Sequence, residues 1–196
     1  MDGSHTEIEC KLVAKHPSEM SGLEPLIRRL CERVEDEGMT AIEDVYLDTA
    51  DWCLYHRGFA CRVRHEGATA TLTTKSLTPH KRHLSMREEY EEVLAEPPGE
   101  PFEEVPCDRL GKRICDMTEG RPLRELFRIR NQRRLLRVRY GGELRAEVCA
   151  DEFEIVAGDA RRAFAEVEIE MQQGDPDTLR GFSRQVADAL GLEMGG

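Results

Sequence analysis

The sequence predicts a mainly antiparallel β protein with a few helices packed outside the sheet, and three observations carry that prediction. Segments in which charged and apolar residues alternate recur along the 196-residue chain. Successive strand residues point to opposite faces, so such alternation marks strands. Runs with helical spacing are few, and the pair Gly141-Gly142 sits between two alternating segments as a hairpin turn.

The strands are taken in chain order. Over residues 7–12, Glu7, Glu9 and Lys11 share one face, and Ile8, Cys10 and Leu12 the other. Further strands are expected over 44–47, 61–64, 69–75, 87–94, 133–140, 144–156 and 166–171. Helices are expected over 24–34, with Gly38 as a stop, over 122–129, and over 176–190. The last has Asp175 as its cap, Pro176 at its first position and Gly191 just beyond, with Leu179, Phe182, Val186 and Leu190 on one face. Residues 96–99, with two prolines, read as a loop. No internal repeat and no linker divides the chain, so one domain over 1–196 is expected.

Composition narrows the function. Asp and Glu number 39 against 28 Lys and Arg, for a formal net charge of −11. A duplex-DNA binder shows the opposite balance, so no duplex nucleic acid is expected as a partner. No apolar run approaches the ~20 residues of a membrane span. The N-terminus has neither a basic nor an apolar leader segment. The seven cysteines include no C-x-x-C pair, which argues against a disulfide framework and a structural zinc site. Reduced, mostly buried thiols in a cytoplasmic protein are the expectation.

The polar faces carry the chemistry. A sheet with one wet face alternates without further meaning, but here the polar positions are Glu-x-Glu-x-Lys, Arg-x-Arg, Arg-x-Glu-x-Glu and Glu-x-Glu-x-Glu. If the acidic strands at the two chain ends meet, Glu7, Glu9, Glu166 and Glu168 form a carboxylate cluster. Such a cluster must protonate or gather cations, and hard ions such as Mg²⁺ or Mn²⁺ take oxygen ligands. Lys11, Arg62, Arg64, Lys75 and Arg133 can form a facing cationic wall. Guanidinium matches phosphate oxygens in bidentate fashion, and ammonium serves as a point charge. A triphosphate between metal and guanidinium would satisfy both walls, and a closed barrel with a polar interior would hold it.

These residues, in order, resemble the CYTH domain, also called the triphosphate tunnel metalloenzymes. Glu7-Ile8-Glu9-Cys10-Lys11 matches the family's E-x-E-x-K signature, and Tyr46-Leu47-Asp48-Thr49 is similar to its Y-F-D-T element. Gly58 to Arg64 is similar to the G-x-A-L-R-x-R strand, Leu72 to Lys75 to the T-L-K strand, and Arg87 to Glu91 to the R-x-E-x-E strand. Ala150-Asp151 and Glu166 to Glu170 match the late alanine–aspartate and E-V-E-I-E elements. The resemblance implies an eight-stranded antiparallel barrel forming a tunnel. It implies hydrolysis of tripolyphosphate, thiamine triphosphate or a nucleoside triphosphate, or cyclisation of ATP. Carried over, Glu7, Glu9, Glu89, Asp151, Glu166 and Glu168 are metal-site residues holding Mg²⁺ or Mn²⁺. Lys11, Arg62, Arg64 and Lys75 bind phosphate, and Tyr46 aligns with a tyrosine that pairs with the signature lysine in catalysis.

Two departures stand out. Asn131 occupies a position that is usually basic; by alternation Arg133 and Arg137 are taken as the tunnel residues of that strand. A lysine that many members carry after the last helix is missing, which leaves open a longer protein continuing into a phosphate-binding CHAD domain. It also keeps a binding module without turnover as the alternative to a triphosphatase, with an adenylate cyclase as the rival within the enzyme class. Oligomeric state stays open, a homodimer included. Trp52 and Tyr55 read as loop and packing residues, 79–83 as a solvated loop, and Glu88, Glu92 and Glu170 as surface charges.

Overall fold

The structure is a computed structural model, and it describes residues 4–77, 83–95 and 109–195. Eight long strands are β1 (Ser4–Ala14), β2 (Arg33–Asp48), β3 (Phe59–Glu66), β4 (Thr69–Ser76), β5 (Ser85–Leu94), β6 (Arg124–Tyr140), β7 (Leu144–Ala157) and β8 (Ala160–Gln173). Their order is β5-β4-β3-β2-β6-β7-β8-β1, and β5 pairs back onto β1, so the sheet closes into an antiparallel barrel. One half of β1 makes that closure, with Ser4 opposite Tyr90; its other half pairs with β8, with Lys11 opposite Glu168. A two-residue strand, β9 (Glu193–Met194), pairs with β1 at Leu12 and Val13. The expected barrel is therefore present, and all eight expected strands lie within longer ones.

The helices are α1 (Leu23–Leu30), α2 (Cys53–His56), α3 (Arg109–Thr118) and α4 (Pro176–Leu190). In α4 the Asp175 carboxylate accepts from the Thr178 amide at 2.9 Å, and Gly191 turns the chain out at φ 70°. These helices cover the outside of the barrel with two apolar cores. One joins α1 and α4 to the outward residues of β1, β6, β7 and β8, among them Leu12, Val148, Val167, Ile169, Leu179 and Phe182. The other joins α2 and α3 to β2, β3 and β4 through Val45, Leu54, Val63, Leu72 and Ile114. With the outward faces buried this way, the inward faces are free to be polar.

Three expectations are corrected. Residues 124–129 form the start of β6 rather than a helix, because Tyr46 to Asp48 of β2 bond to them across the sheet; that pairing overrides the helical spacing. The first helix ends at Leu30, and Val34 already pairs with Val138. Gly38 is no helix stop: it sits within β2 at φ 86°, beside a register shift between Asp36 and Gly38. Helix α3 was not anticipated, though Leu110, Ile114 and Thr118 have helical spacing and are buried. The expected loops lie largely outside the described residues: 96–99 wholly, and 79–83 except for His83.

Candidate active site

Inward positions on all eight strands line a cavity of about 350 Å³ running along the barrel axis. Eleven carboxylates line it against six cations, Lys11, Arg62, Arg64, Lys75, Arg87 and Arg133. The period-two pleat places them: every second residue of a strand faces in, so Glu7, Glu9 and Lys11 enter together, as do Arg62 and Arg64, and Glu166 and Glu168.

The charges hold one another in pairs. Arg133 binds Asp151 bidentately, Nε to Oδ1 at 2.7 Å and Nη2 to Oδ2 at 2.6 Å, and also reaches Glu168. Arg64 binds Asp44 in the same fashion at 2.8 Å for both bonds. Lys75 donates to Glu7 at 2.9 Å and lies 3.1 Å from Glu89. Arg87 donates to Glu9 at 2.8 Å. Lys11 donates to Glu168 and, at 3.2 Å, to Glu166. Asn131 donates to Asp151 at 2.8 Å.

Five more carboxylates than cations in a confined space must shift proton affinities. Burial first, then the neighbouring Glu168, pushes the Glu9 carboxyl up to about 7. Burial, Glu7 and Glu147 push Glu170 up to about 7 as well. Glu89 and Glu166 are also raised, chiefly by burial. Glu168 moves the other way: burial opposes its charge, but Lys11 and Arg133 outweigh it and hold the carboxylate well below its usual range. Burial likewise opposes the charge on Lys11, yet Glu168, Glu9 and Glu166 together hold the ammonium above its ordinary value.

One part of the cavity suits a cation. Asp151, Glu166 and Glu168 each offer a carboxylate oxygen, and the three lie within 4.8 Å of one another. An all-oxygen set of this kind fits a hard divalent ion. Beside it the buried Asn131 Oδ1 has no hydrogen-bond partner, an unmet oxygen next to the carboxylate that its own amide nitrogen contacts.

The family profile of the CYTH domain matches residues 5–195. The chain belongs to the CYTH family. Solved structures share this fold: a provisionally named adenylyl cyclase from Hippeastrum, reported with a dominant triphosphatase activity, is 22% identical with a TM-score of 0.72, covering 97% of this chain and 91% of that one. A provisionally named adenylate cyclase from Bacillus halodurans is 16% identical, with a TM-score of 0.72 and coverage of 99% and 94%. A protein from Pyrococcus horikoshii is 18% identical, with a TM-score of 0.60 and coverage of 96% and 92%.

Measured against the CYTH motifs, Glu7, Glu9, Lys11, Tyr46, Arg62, Arg64, Lys75, Glu89, Arg133, Asp151, Glu166 and Glu168 all line the one cavity. Arg137 does not. It shares a face with Arg133, but near the end of β6 it is half exposed and pairs with Glu37 at 2.7 Å and Glu147 at 3.0 Å. Tyr46 faces the cavity and stacks on Phe127 with ring centroids 4.6 Å apart, and no hydrogen bond joins it to Lys11. Glu170 is corrected from a surface charge to a cavity residue, whereas Glu88 is exposed, and Glu92 accepts from the Leu110 amide at the start of α3 at 2.7 Å. Sequence reading missed Asp44, Glu66, Arg87, Glu91 and Glu147 as charged cavity residues. The signal was available for each: Asp44 shares parity with Tyr46, Glu66 with Arg64, Arg87 and Glu91 with Glu89, and Glu147 with Asp151. Trp52 and Tyr55 meet edge to face at 6.1 Å, away from the cavity lining. Of the six described cysteines, none is in a disulfide, and Cys10, Cys53, Cys61 and Cys149 are buried; Cys107 lies outside the described residues. No described helix is long and apolar enough to cross a membrane.

Proposed function

We propose that this CYTH domain hydrolyses a small triphosphate, inorganic tripolyphosphate or an ester of it, inside the barrel and with a divalent ion, Mg²⁺ or Mn²⁺. The observation that carries the reading is the charge count: eleven carboxylates against six cations in a cavity that must accept a polyanion. A polyanion is repelled from such a space unless cations enter with it. Asp151, Glu166 and Glu168 would hold a first ion, with Glu7, Glu9 and Glu89 on the neighbouring strands as further acidic ligands. A bound divalent ion supplies Lewis-acid polarisation of phosphoryl oxygens and charge neutralisation.

The residues of the chain do the rest. Arg62, Arg64, Lys75 and Arg133 are tied to carboxylates, and a phosphate offers each of them the same oxygen geometry. They can therefore transfer from carboxylate to phosphate and neutralise charge on the transferred group. Arg87, bound to Glu9, belongs with them. In the reaction a water oxygen bonds to phosphorus while the bridging P–O bond breaks, and the leaving oxygen needs charge relief or a proton. Lys11, kept protonated by three carboxylates, suits donation to that oxygen or orientation of the water better than proton abstraction.

The test is incubation of the purified protein with tripolyphosphate, ATP and thiamine triphosphate, each with Mg²⁺ or Mn²⁺. Orthophosphate release that stops with EDTA is expected. Cyclic AMP from ATP would replace the reading with a cyclase; tight binding without either product would replace it with a binding module. Undiminished release in metal-free buffer would remove the ion from the mechanism.

A further inference from the structure

One buried atom of the cavity wall stands outside the pairs described above. Asn131 faces inward from β6 and is only 8% exposed. Its amide nitrogen donates to Asp151 Oδ1 at 2.8 Å. Its amide oxygen, Oδ1, has no hydrogen-bond partner among the described residues. Reversing the amide does not resolve this. Arg133 grips the Asp151 carboxylate bidentately, so that carboxylate accepts hydrogen bonds and offers none. The nitrogen must face it, and the oxygen is left to face something else.

Elimination narrows what that is. The residues paired with Asn131 across the sheet are Ile42 on β2 and Phe153 on β7, and neither side chain has a proton to donate. Arg133, the next inward residue of β6, is committed to Asp151 and Glu168. An ionised phosphate cannot serve, because its oxygens only accept and their charge repels a carbonyl oxygen. An acceptor left unmet at this depth is costly. A water or a metal ion remains. The surroundings favour the ion: Asp151, which the same amide holds, gathers with Glu166 and Glu168 three carboxylate oxygens within 4.8 Å of one another. Side-chain amide carbonyls are ordinary ligands of hard divalent ions.

We propose that the Asn131 side-chain carbonyl is a fourth protein ligand, joining Asp151, Glu166 and Glu168 on one divalent ion. The proposal rests on the reading of the cavity as a metal-dependent triphosphate site. The amide then works at both ends: its nitrogen orients Asp151, and its oxygen binds the ion. An uncharged ligand adds an oxygen to the site without adding to an interior that already holds eleven carboxylates against six cations. The strand position that is usually basic in CYTH domains serves the ion here instead of the phosphate.

The test is calorimetric binding of Mn²⁺ alone at pH 8 to the whole chain, as wild type, Asn131→Leu, Asn131→Asp and Glu168→Gln, with circular dichroism to confirm that each folds. Glu168→Gln locates the ion and should weaken binding about tenfold or more. Asn131→Leu keeps the volume, removes both amide atoms and should weaken binding about tenfold. Asn131→Asp keeps an oxygen but loses the donor; as a ligand it adds charge to the ion's shell and should tighten binding about tenfold. A second readout counts the waters on bound Mn²⁺, from broadening of its spin-resonance lines by water carrying a magnetic oxygen isotope. An additional water is expected in Asn131→Leu and none in Asn131→Asp. If Asn131 only positions Asp151, both variants weaken binding; if a water meets its oxygen, neither changes it. Either result overturns the proposal, and Asn131→Leu with wild-type affinity does so alone. Undiminished binding by Glu168→Gln would put the ion elsewhere and overturn it too. Turnover is scored separately: ligand behaviour as expected without orthophosphate release from tripolyphosphate would sink the hydrolase and leave the ligand standing. EDTA-sensitive release with a Mn²⁺ affinity indifferent to Asn131 would do the reverse.

Discussion

The two faces of β1 are made by neighbouring residues and do opposite work. Outward, Cys10 and Leu12 are fully buried beneath α1 and α4 in an apolar core. Inward, Glu7, Glu9 and Lys11 meet only charged or polar partners. Because the helices supply apolar burial outside the barrel, the interior does not have to contribute it. An ordinary small barrel fills its inside with packed side chains; this one keeps an excess of like charge there. The comparison predicts that removing an excess inward carboxylate alters chemistry and leaves folding nearly intact or improves it, while outward truncations do the reverse.

The largest effect should come from the inward face. Glu168→Gln removes a carboxylate from the cation-binding cluster and leaves Arg133 with Asp151. Triphosphate turnover is expected to fall about 10²–10³-fold, with the urea midpoint little changed. A loss of turnover that only tracks a loss of folded protein would break the comparison. The outward counterpart is Phe182→Ala in α4, at a fully buried position. It should cost about 3–5 kcal/mol in chemical denaturation, while kcat per folded molecule stays within about twofold because no cavity residue moves.

Acidity sharpens the contrast further. The Glu9 carboxyl, raised from 4.5 to about 7, keeps its proton in the folded chain where the unfolded chain has lost it. The folded state therefore binds more protons between those values, and stability falls as pH rises through that window. Glu170, also raised to about 7, acts in the same direction. Metal-free protein is thus expected to have a higher urea midpoint at pH 5.5 than at pH 8. Added Mg²⁺ should stabilise it more at pH 8, where the ion does not compete with protons. Glu9→Gln, which removes one of the excess carboxylates, should raise the unfolding free energy of the metal-free chain at pH 8 by roughly 1–3 kcal/mol, moving the urea midpoint up, and flatten the pH dependence. A midpoint that drops would show that the pair with Arg87 outweighs the crowding.

The barrel was legible in the sequence because its period is two and its two faces differ so strongly. Glu7-x-Glu9-x-Lys11 and Glu166-x-Glu168 declare their inward side without any coordinates. Legibility failed where local spacing competed with pairing. Leu123, Leu126 and Phe127 have the spacing of a helix turn, and only the partner strand β2 makes that segment a strand. Parity also says which face a residue takes but not how far along the barrel it sits. That is why Glu170 was read as a surface residue and Arg137 as a tunnel one. The stacked aromatic pairs were invisible for a related reason: Tyr46 and Phe127, and Phe153 and Phe164, lie on different strands and meet only when those strands come into register.

The smallest expected effect tests that limit of parity. Arg133 and Arg137 are two steps apart, one inside against Asp151 and Glu168, the other half exposed between Glu37 and Glu147. Arg133→Ala leaves a buried carboxylate unpaired and removes a phosphate-binding group, so kcat/KM should fall by about 10²-fold or more. Arg137→Ala loses only exposed ion pairs, each contributing about 0–1 kcal/mol. Its kcat/KM should stay within about threefold of the wild type, and its urea midpoint should barely move. A drop in kcat/KM comparable with that of Arg133→Ala, measured at the same Mg²⁺ concentration, would mean that the phosphate path extends past Glu147 to the far end of β6, and that position along the barrel matters less than the shared face.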